Sequence, residues 1–167
     1  MYDTALLSRR ALLGGAGVAV VAIAATMMPG AEEGAQAAKY PVNMTPAQWK
    51  KKLSPQQYAI LREASTERPF TSPLNKEHRT GTFICAGCDQ KLFSSKTKFD
   101  SGTGWPSFWQ PLPKAIGTST DTMLGYSRTE VHCARCGGHL GHVFDDGPKP
   151  TGLRYCMNGA AMKFVAA

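Results

Sequence analysis

Two C-x-x-C pairs, Cys85/Cys88 and Cys133/Cys136, constrain this chain more than any other feature. A C-x-x-C turn points two sulfurs, and the backbone N–H groups around them, at one centre. Gly87 in the first knuckle, and Gly137 and Gly138 after the second, permit the tight backbone that such turns need. Two knuckles complete a tetrahedral thiolate cage, which is closed and therefore structural. Such a cage ties residues 85–88 to residues 133–136 and adds stability to a small domain. The intervening stretch, 89–132, is longer than the usual zinc-ribbon gap. The cysteines alone leave other readings open: a thioredoxin-like dithiol, which belongs in a βαβ context not evident here, a pair of disulfides, or iron in the same cage. Ligand type and spacing favour one structural Zn2+ per chain.

The chain has 167 residues, 43% hydrophobic and 19% charged, which is enough for a packed core and one domain with a leader. A polytopic membrane protein is excluded, because only one apolar stretch is long enough to matter to a bilayer. The formal net charge is +7. A four-thiolate cage with a divalent ion carries about −2, leaving about +5. No run of five or six basic residues occurs, so nucleic acid is not an expected partner.

Ser8-Arg9-Arg10 precedes an apolar, Gly-containing run from Ala11 to Met28, then Pro29, Gly30 and the small-x-small site Ala35-Gln36-Ala37. Paired arginines, a weakly apolar core and small residues at a peptidase site form the pattern of a bacterial twin-arginine export signal. The expected organisation is an export signal at 1–37 and a domain at 38–167. The expected destination is the periplasm, with the membrane involved only through the leader. The alternatives are an uncleaved membrane anchor and a cytosolic N-terminal helix. The leader holds no cysteine, which excludes a lipid-modified N-terminal cysteine.

Thr45-Pro46-Ala47-Gln48 and Ser54-Pro55-Gln56-Gln57 each carry a hydroxyl N-cap, proline at the first helical position and glutamine three residues after the cap. This double capping box predicts helices over Pro46–Lys52 and about Pro55–Ala64, with Tyr58, Leu61 and the Arg62 stem on one face of the second. Pro69, Pro73 and Asn75 mark an irregular connection. Short alternating segments follow, at Thr82–Cys85, Lys91–Phe93, Phe108–Pro111, Ala115–Leu124, Tyr126–His132, His142–Phe144, Leu153–Asn158 and Ala161–Val165. The expected fold class is mainly β, with antiparallel pairing behind two short N-terminal helices.

The fifth cysteine stands in Arg154-Tyr155-Cys156-Met157-Asn158. On a strand, Arg154, Cys156 and Asn158 share one face, and Tyr155 and Met157 the other. A guanidinium beside a thiol favours the nucleophilic thiolate, and Asn158 brings both a donor and an acceptor. Polar neighbours on its own face favour a reactive thiol over a buried core cysteine. In His139-Leu140-Gly141-His142 a regular strand sends the two histidines to opposite faces, but a bulge at Gly141 brings them to one side, where they can act as acids near pH 7. The alternatives are a second metal site or polar surface. In Gly102-Thr103-Gly104-Trp105-Pro106-Ser107-Phe108-Trp109, Phe108 and Trp109 suit a core and Trp105 suits the wall of an apolar pocket.

Taken together the motifs resemble those of the type B methionine sulfoxide reductases. The matching segments are Glu67-Arg68-Pro69-Phe70, the two knuckles, Leu92-Phe93-Ser94-Ser95, Thr97–Gly102, Gly104–Phe108, His139–Pro148, and Arg154-Tyr155-Cys156 with Asn158. The resemblance runs from about Trp49 to Phe164. It implies two antiparallel sheets with short N-terminal helices, a zinc site away from the active site, and reduction of the R epimer of methionine sulfoxide, mostly in peptides and proteins. By the same match Cys156 is the nucleophile, and Trp105 and Phe144 belong to the substrate pocket. His139, His142 and Asn158 surround the sulfoxide oxygen, and Arg154 with Asp146 forms the charged pair that conditions the thiol. Cys85, Cys88, Cys133 and Cys136 hold the zinc. The expected partners are oxidised proteins and a thioredoxin-like or small-thiol reductant, and the expected state is a monomer.

The chain departs from the family pattern in three places. Thr103 stands where many members carry a resolving cysteine, Gly159 where serine is common and Met162 where leucine is common. Gly159 is expected to loosen the strand after the nucleophile. Two competing classes remain on the sequence, a zinc-ribbon nucleic-acid-binding module and a C-x-x-C disulfide oxidoreductase.

Overall fold

The computed structural model describes residues 40–167, so the export signal expected at 1–37 lies outside the described residues. Both capping boxes form as their sequence dictates. Helix α1 spans Pro46–Lys52, capped by Thr45, and α2 spans Pro55–Glu63, capped by Ser54; in each the N3 glutamine returns the hydrogen bond to the cap backbone. Helix α2 ends one residue earlier than expected, because Ala64 turns into the left-handed region (φ 52°). Trp49, Ile60 and Leu61 are the buried residues of this helical pair.

Nine strands follow: β1 (Gly81–Cys85), β2 (Lys91–Ser94), β3 (Lys98–Phe99), β4 (Ser107–Phe108), β5 (Ile116–Asp121), β6 (Arg128–Cys133), β7 (His139–Phe144), β8 (Arg154–Met157) and β9 (Met162–Ala166). They build a three-stranded sheet in the order β2-β1-β9 and a six-stranded sheet in the order β3-β4-β8-β7-β6-β5. Every pairing is antiparallel. The mainly β, two-sheet class is therefore the one the sequence indicated.

Between the sheets sits an aromatic core. Phe93 stacks on Phe108 with centroids 4.3 Å apart, and Phe83 meets Phe108 edge-on at 4.9 Å. Alternation places Met157 fully in this core, while Tyr155 packs against it.

Several boundaries differ from the sequence expectation, each for a local reason. Strand β4 stops at Phe108. Trp109, expected in the core, is only half-buried, and its N–H donates to the Thr97 carbonyl. Strand β5 stops at Asp121, whose carboxylate accepts the Met123 N–H (2.9 Å) and turns the chain. Strand β7 starts three residues early, at His139. Gly159 follows β8. It is buried and opens a tight turn over Gly159–Ala161, where a Cβ would come within 1.8 Å of Ser72 Oγ. Among the described residues, no helix is long and apolar enough to cross a membrane.

Candidate active site and metal cage

Cross-strand register assembles the site. Cys156 on β8 pairs with Ser107 on β4 and with His142 on β7; His142 pairs with Glu130 on β6, and Glu130 with Ser119 on β5. Direct partners across antiparallel strands point to the same face. Five strands thus lay Ser107, Cys156, His142, Glu130 and Ser119 in one row. Residues far apart in sequence become neighbours through backbone hydrogen bonding alone.

His139 joins this row through a bulge. Val131 pairs with Gly141, but His132 pairs with His139, so Leu140 is the extra residue. The slip brings the two imidazoles to one side, with centroids 5.4 Å apart. Glycine at 141 is required, because a Cβ there would sit 2.1 Å from the Cys156 carbonyl oxygen. The expected bulge is present, displaced by one residue to Leu140.

Each histidine has its own carboxylate. His139 Nδ1 lies 2.8 Å from Glu130 Oε1, and His142 Nε2 lies 2.7 Å from Asp121 Oδ2. Glu130 also accepts a hydrogen bond from Ser119, and Asp121 one from Arg128 (2.5 Å). The Met123 N–H, then His142 and Arg128, hold the Asp121 carboxyl down at about 2; burial raises Glu130, but hydrogen bonds from Ser119 and His139 outweigh it and hold the carboxyl below its ordinary value. His142 is pushed below its ordinary value by burial, with Arg128 and His139 adding to the effect and Asp121 opposing it.

Cys156 is partly exposed at the base of a cleft of about 120 Å3, whose walls include Trp105, Phe144, His142 and Asn158. His139 lines the adjoining cleft instead. Arg154 makes a two-pronged pair with Asp146, both contacts 2.8 Å, and its guanidinium lies 4.4 Å over the Phe144 ring. The Asp146 hydrogen bond, with a smaller contribution from Cys156, raises the Arg154 pKa. The cation is therefore fixed two residues before the thiol on the same strand face. The Thr103 hydroxyl lies 3.8 Å from Cys156 Sγ and belongs to a hydroxyl chain, 2.8 Å to Ser101 and 2.7 Å on to Ser107.

Asn158 is more committed than its sequence position indicates. Its Oδ1 accepts the Glu67 N–H (3.0 Å) and its Nδ2 donates to the Leu140 carbonyl (3.1 Å), leaving one amide N–H for a ligand. Glu67 is the hub here. Its carbonyl accepts the Trp105 indole N–H (3.1 Å), and its carboxylate accepts the N–H groups of Gly159 (2.5 Å) and Ala160 (2.9 Å). One buried residue thus fixes two cleft walls and the turn after the nucleophile. Glu67→Ala strands one buried and one partly buried N–H donor, at Gly159 and Ala160, so the domain is expected to lose about 3 kcal/mol and ~10 °C in melting temperature. A differential scanning calorimetry shift under 2 °C, by the same scale, would reject that role.

The knuckle sulfurs converge away from this cleft. All four lie within 4.8 Å of one another, with Cys88–Cys133 at 3.5 Å and Cys85–Cys136 at 3.7 Å. A tetrahedron with Zn–S near 2.3 Å has edges of about 3.8 Å, so the residues fit a Zn2+ cage. The four cysteines are buried, which removes them from exchange with outside disulfides and disfavours the C-x-x-C oxidoreductase reading. Arg62 closes the cage from α2. It donates to the Cys136 sulfur (3.2 Å) and carbonyl (3.0 Å) and stacks 4.1 Å over Trp49 of α1. A cation here offsets part of the negative charge of a four-thiolate site.

Thr66, Glu67, Asp121, Arg128 and Glu130 were not singled out by sequence reasoning as site residues. Glu67 carries a signal in Glu67-Arg68-Pro69-Phe70, and Arg128 and Glu130 share one face of β6 by alternation. Asp121 and Thr66 carry none.

Fold and site define a class: a small mainly-β domain, stapled by a four-cysteine metal cage, that presents one free thiol in a cleft walled by aromatic rings and histidine. A family model described as the SelR domain matches residues 53–166, and the chain belongs to that family. It is 54% identical over 126 residues to the peptide methionine sulfoxide reductase MsrB of Leptospira interrogans, covering 75% of this chain and 96% of that protein. It is 59% identical over 117 residues to the protein of the same name from Bradyrhizobium diazoefficiens (70% and 84%) and 56% over 124 residues to that from Agrobacterium fabrum (74% and 92%).

Proposed function

We propose that this chain is a peptide-methionine (R)-S-oxide reductase, a thiol-dependent oxidoreductase that returns methionine-(R)-sulfoxide to methionine. The observation that carries the reading is the row Ser107–Cys156–His142–Glu130 lying beside the Trp105 and Phe144 walls. The aromatic walls receive the S-methyl end of the substrate, and the Arg154–Asp146 pair conditions the thiol. A Cys156 thiolate attacks the sulfoxide sulfur while His142 or His139 delivers a proton to the oxygen, and the remaining Asn158 N–H orients that oxygen. The protonated oxygen then shifts from the substrate sulfur to the Cys156 sulfur as the new S–S bond and the S–O bond of the substrate break, leaving methionine and a Cys156 sulfenic acid. Two external thiols then return the thiol, releasing one disulfide and one water. The zinc cage supplies structure, and no step passes through it.

The test is incubation with separate R and S epimers and dithiothreitol, followed by chromatography of the product. The R epimer is expected to be consumed and the S epimer left intact; turnover of S, or of neither, would reject the reading. Because Thr103 occupies the position next to Cys156 and the other four cysteines are caged, the sulfenic acid is predicted to persist without an internal partner. One equivalent of substrate followed by dimedone should label Cys156. An internal disulfide in the mass spectrum would count against this.

Asp121→Asn tests the acid. The Asp121 carboxylate pulls the His142 pKa up against burial, so its removal drops that pKa further below the ordinary value. The limb of the sulfenic-acid-forming rate set by His142 is expected to move to lower pH, slowing the step at pH 7. A stopped-flow pH profile that does not move, or moves upward, assigns the proton elsewhere.

The segment 1–37, with its paired arginines, apolar run and small-x-small site, is read as a twin-arginine signal that sends the folded, metal-loaded domain to the periplasm. There a monomeric enzyme repairs oxidised proteins, with a thioredoxin-like protein or small thiol as reductant. Fusing residues 1–37 to a folded reporter tests the route: reporter in the periplasm supports it, and export that persists with Arg9 and Arg10 both changed to Lys argues against it.

A further inference from the structure

The reaction cleft does not end at Cys156. It shares Thr66, Arg128 and His142 with a larger neighbouring cleft of about 430 Å3. The outer wall of that second cleft is the tip of the β5–β6 hairpin, where Met123 is 77% and Leu124 60% exposed. Two large apolar side chains held open at the rim of a polar cleft have no packing role of their own.

This tip is tied to the reacting groups. One oxygen of Asp121 accepts the Met123 N–H, and the other holds His142 and Arg128. The Gly125 N–H closes the turn onto the Thr122 carbonyl (3.0 Å). The same carboxylate thus orients an imidazole at the thiol and sets the height of the apolar rim.

Resting on the sulfoxide-reductase reading, we infer that Met123 and Leu124 form a subsite for an apolar side chain of the substrate polypeptide next to the oxidised methionine. The two clefts have Thr66, Arg128 and His142 as common walls, so a polypeptide whose sulfoxide sits over Cys156 can extend past His142 toward this rim. Free methionine sulfoxide has only its charged ammonium and carboxylate to offer there. The subsite therefore makes the enzyme favour a methionine sulfoxide flanked by an apolar side chain over one flanked by polar side chains.

Three substrates decide the matter on the full chain: free methionine-(R)-sulfoxide, and two short peptides whose methionine-(R)-sulfoxide is flanked by leucines or by serines. In the Met123→Ser/Leu124→Ser variant, kcat/KM for the leucine peptide is expected to fall roughly tenfold. The loss should come through KM, with the serine peptide and the free amino acid unchanged. The single Leu124→Ser variant should show the same selective loss at smaller size. Turnover of the free amino acid and the melting temperature report folding. An unchanged leucine peptide, or an equal fall for all three substrates in the single variant, overturns the subsite. A wild-type protein that reduces none of the three overturns instead the activity on which it rests.

Discussion

A Cys156→Ser protein is expected to fold normally, keep its metal and lose sulfoxide reduction by roughly a thousandfold or more. The exchange is nearly isosteric. Cys156 is partly exposed, with the Thr103 hydroxyl 3.8 Å from its sulfur, so no packed core is disturbed. A serine hydroxyl is a far weaker nucleophile toward sulfur and has no sulfenic acid state in which to receive the oxygen. Epimer-resolved chromatography measures the loss, and metal content and melting temperature measure the fold. Activity within tenfold of wild type would remove Cys156 from the mechanism.

The second large effect concerns the cage. Structural zinc in small thiolate sites contributes about 10–16 kcal/mol of apparent binding free energy, against about 5–15 kcal/mol for the net stability of a whole domain. The binding term wins, so a chelator strong enough to extract the ion is expected to unfold the domain, as is Cys133→Ser. The loss should appear in far-UV circular dichroism together with activity. Removal of the ion with full retention of structure would show that the sheets hold without it. The contrast between Cys133 and Cys156 separates two uses of one residue type, since the first change destroys the fold and the second only the chemistry.

How much of this was legible in the sequence depended on distance along the chain. The capping boxes are complete within four residues, and both helices begin where those residues dictate. The knuckles are local turns that share one ion, so their spacing sufficed. Alternation in Arg154–Asn158 placed arginine and thiol together because a strand's period is fixed. Two-residue strands such as β3 are too short to show any period. The partners of the histidines were hidden because Glu130 and Asp121 reach them only through the pairing of β5, β6 and β7, and Glu67 meets Asn158 across 91 positions. Nothing local to Glu67 shows that its carboxylate faces two backbone N–H groups. The crowding at Gly159 was hidden for the same reason: the atom nearest to a Cβ there belongs to Ser72.

The hydroxyl beside Cys156 also has a consequence under oxidative load. A cysteine at Thr103 would seal the oxidised sulfur into a disulfide within one turnover. On the proposed mechanism, threonine leaves it open until a reductant molecule arrives from outside. When peroxide is abundant and reductant scarce, the waiting sulfur is exposed to a second oxidation, to sulfinic acid, which ordinary thiols do not reverse. The catalyst's lifetime is then a race between two colliding molecules, and the ratio of reductant to peroxide around the protein sets how many rounds each copy completes before it is lost.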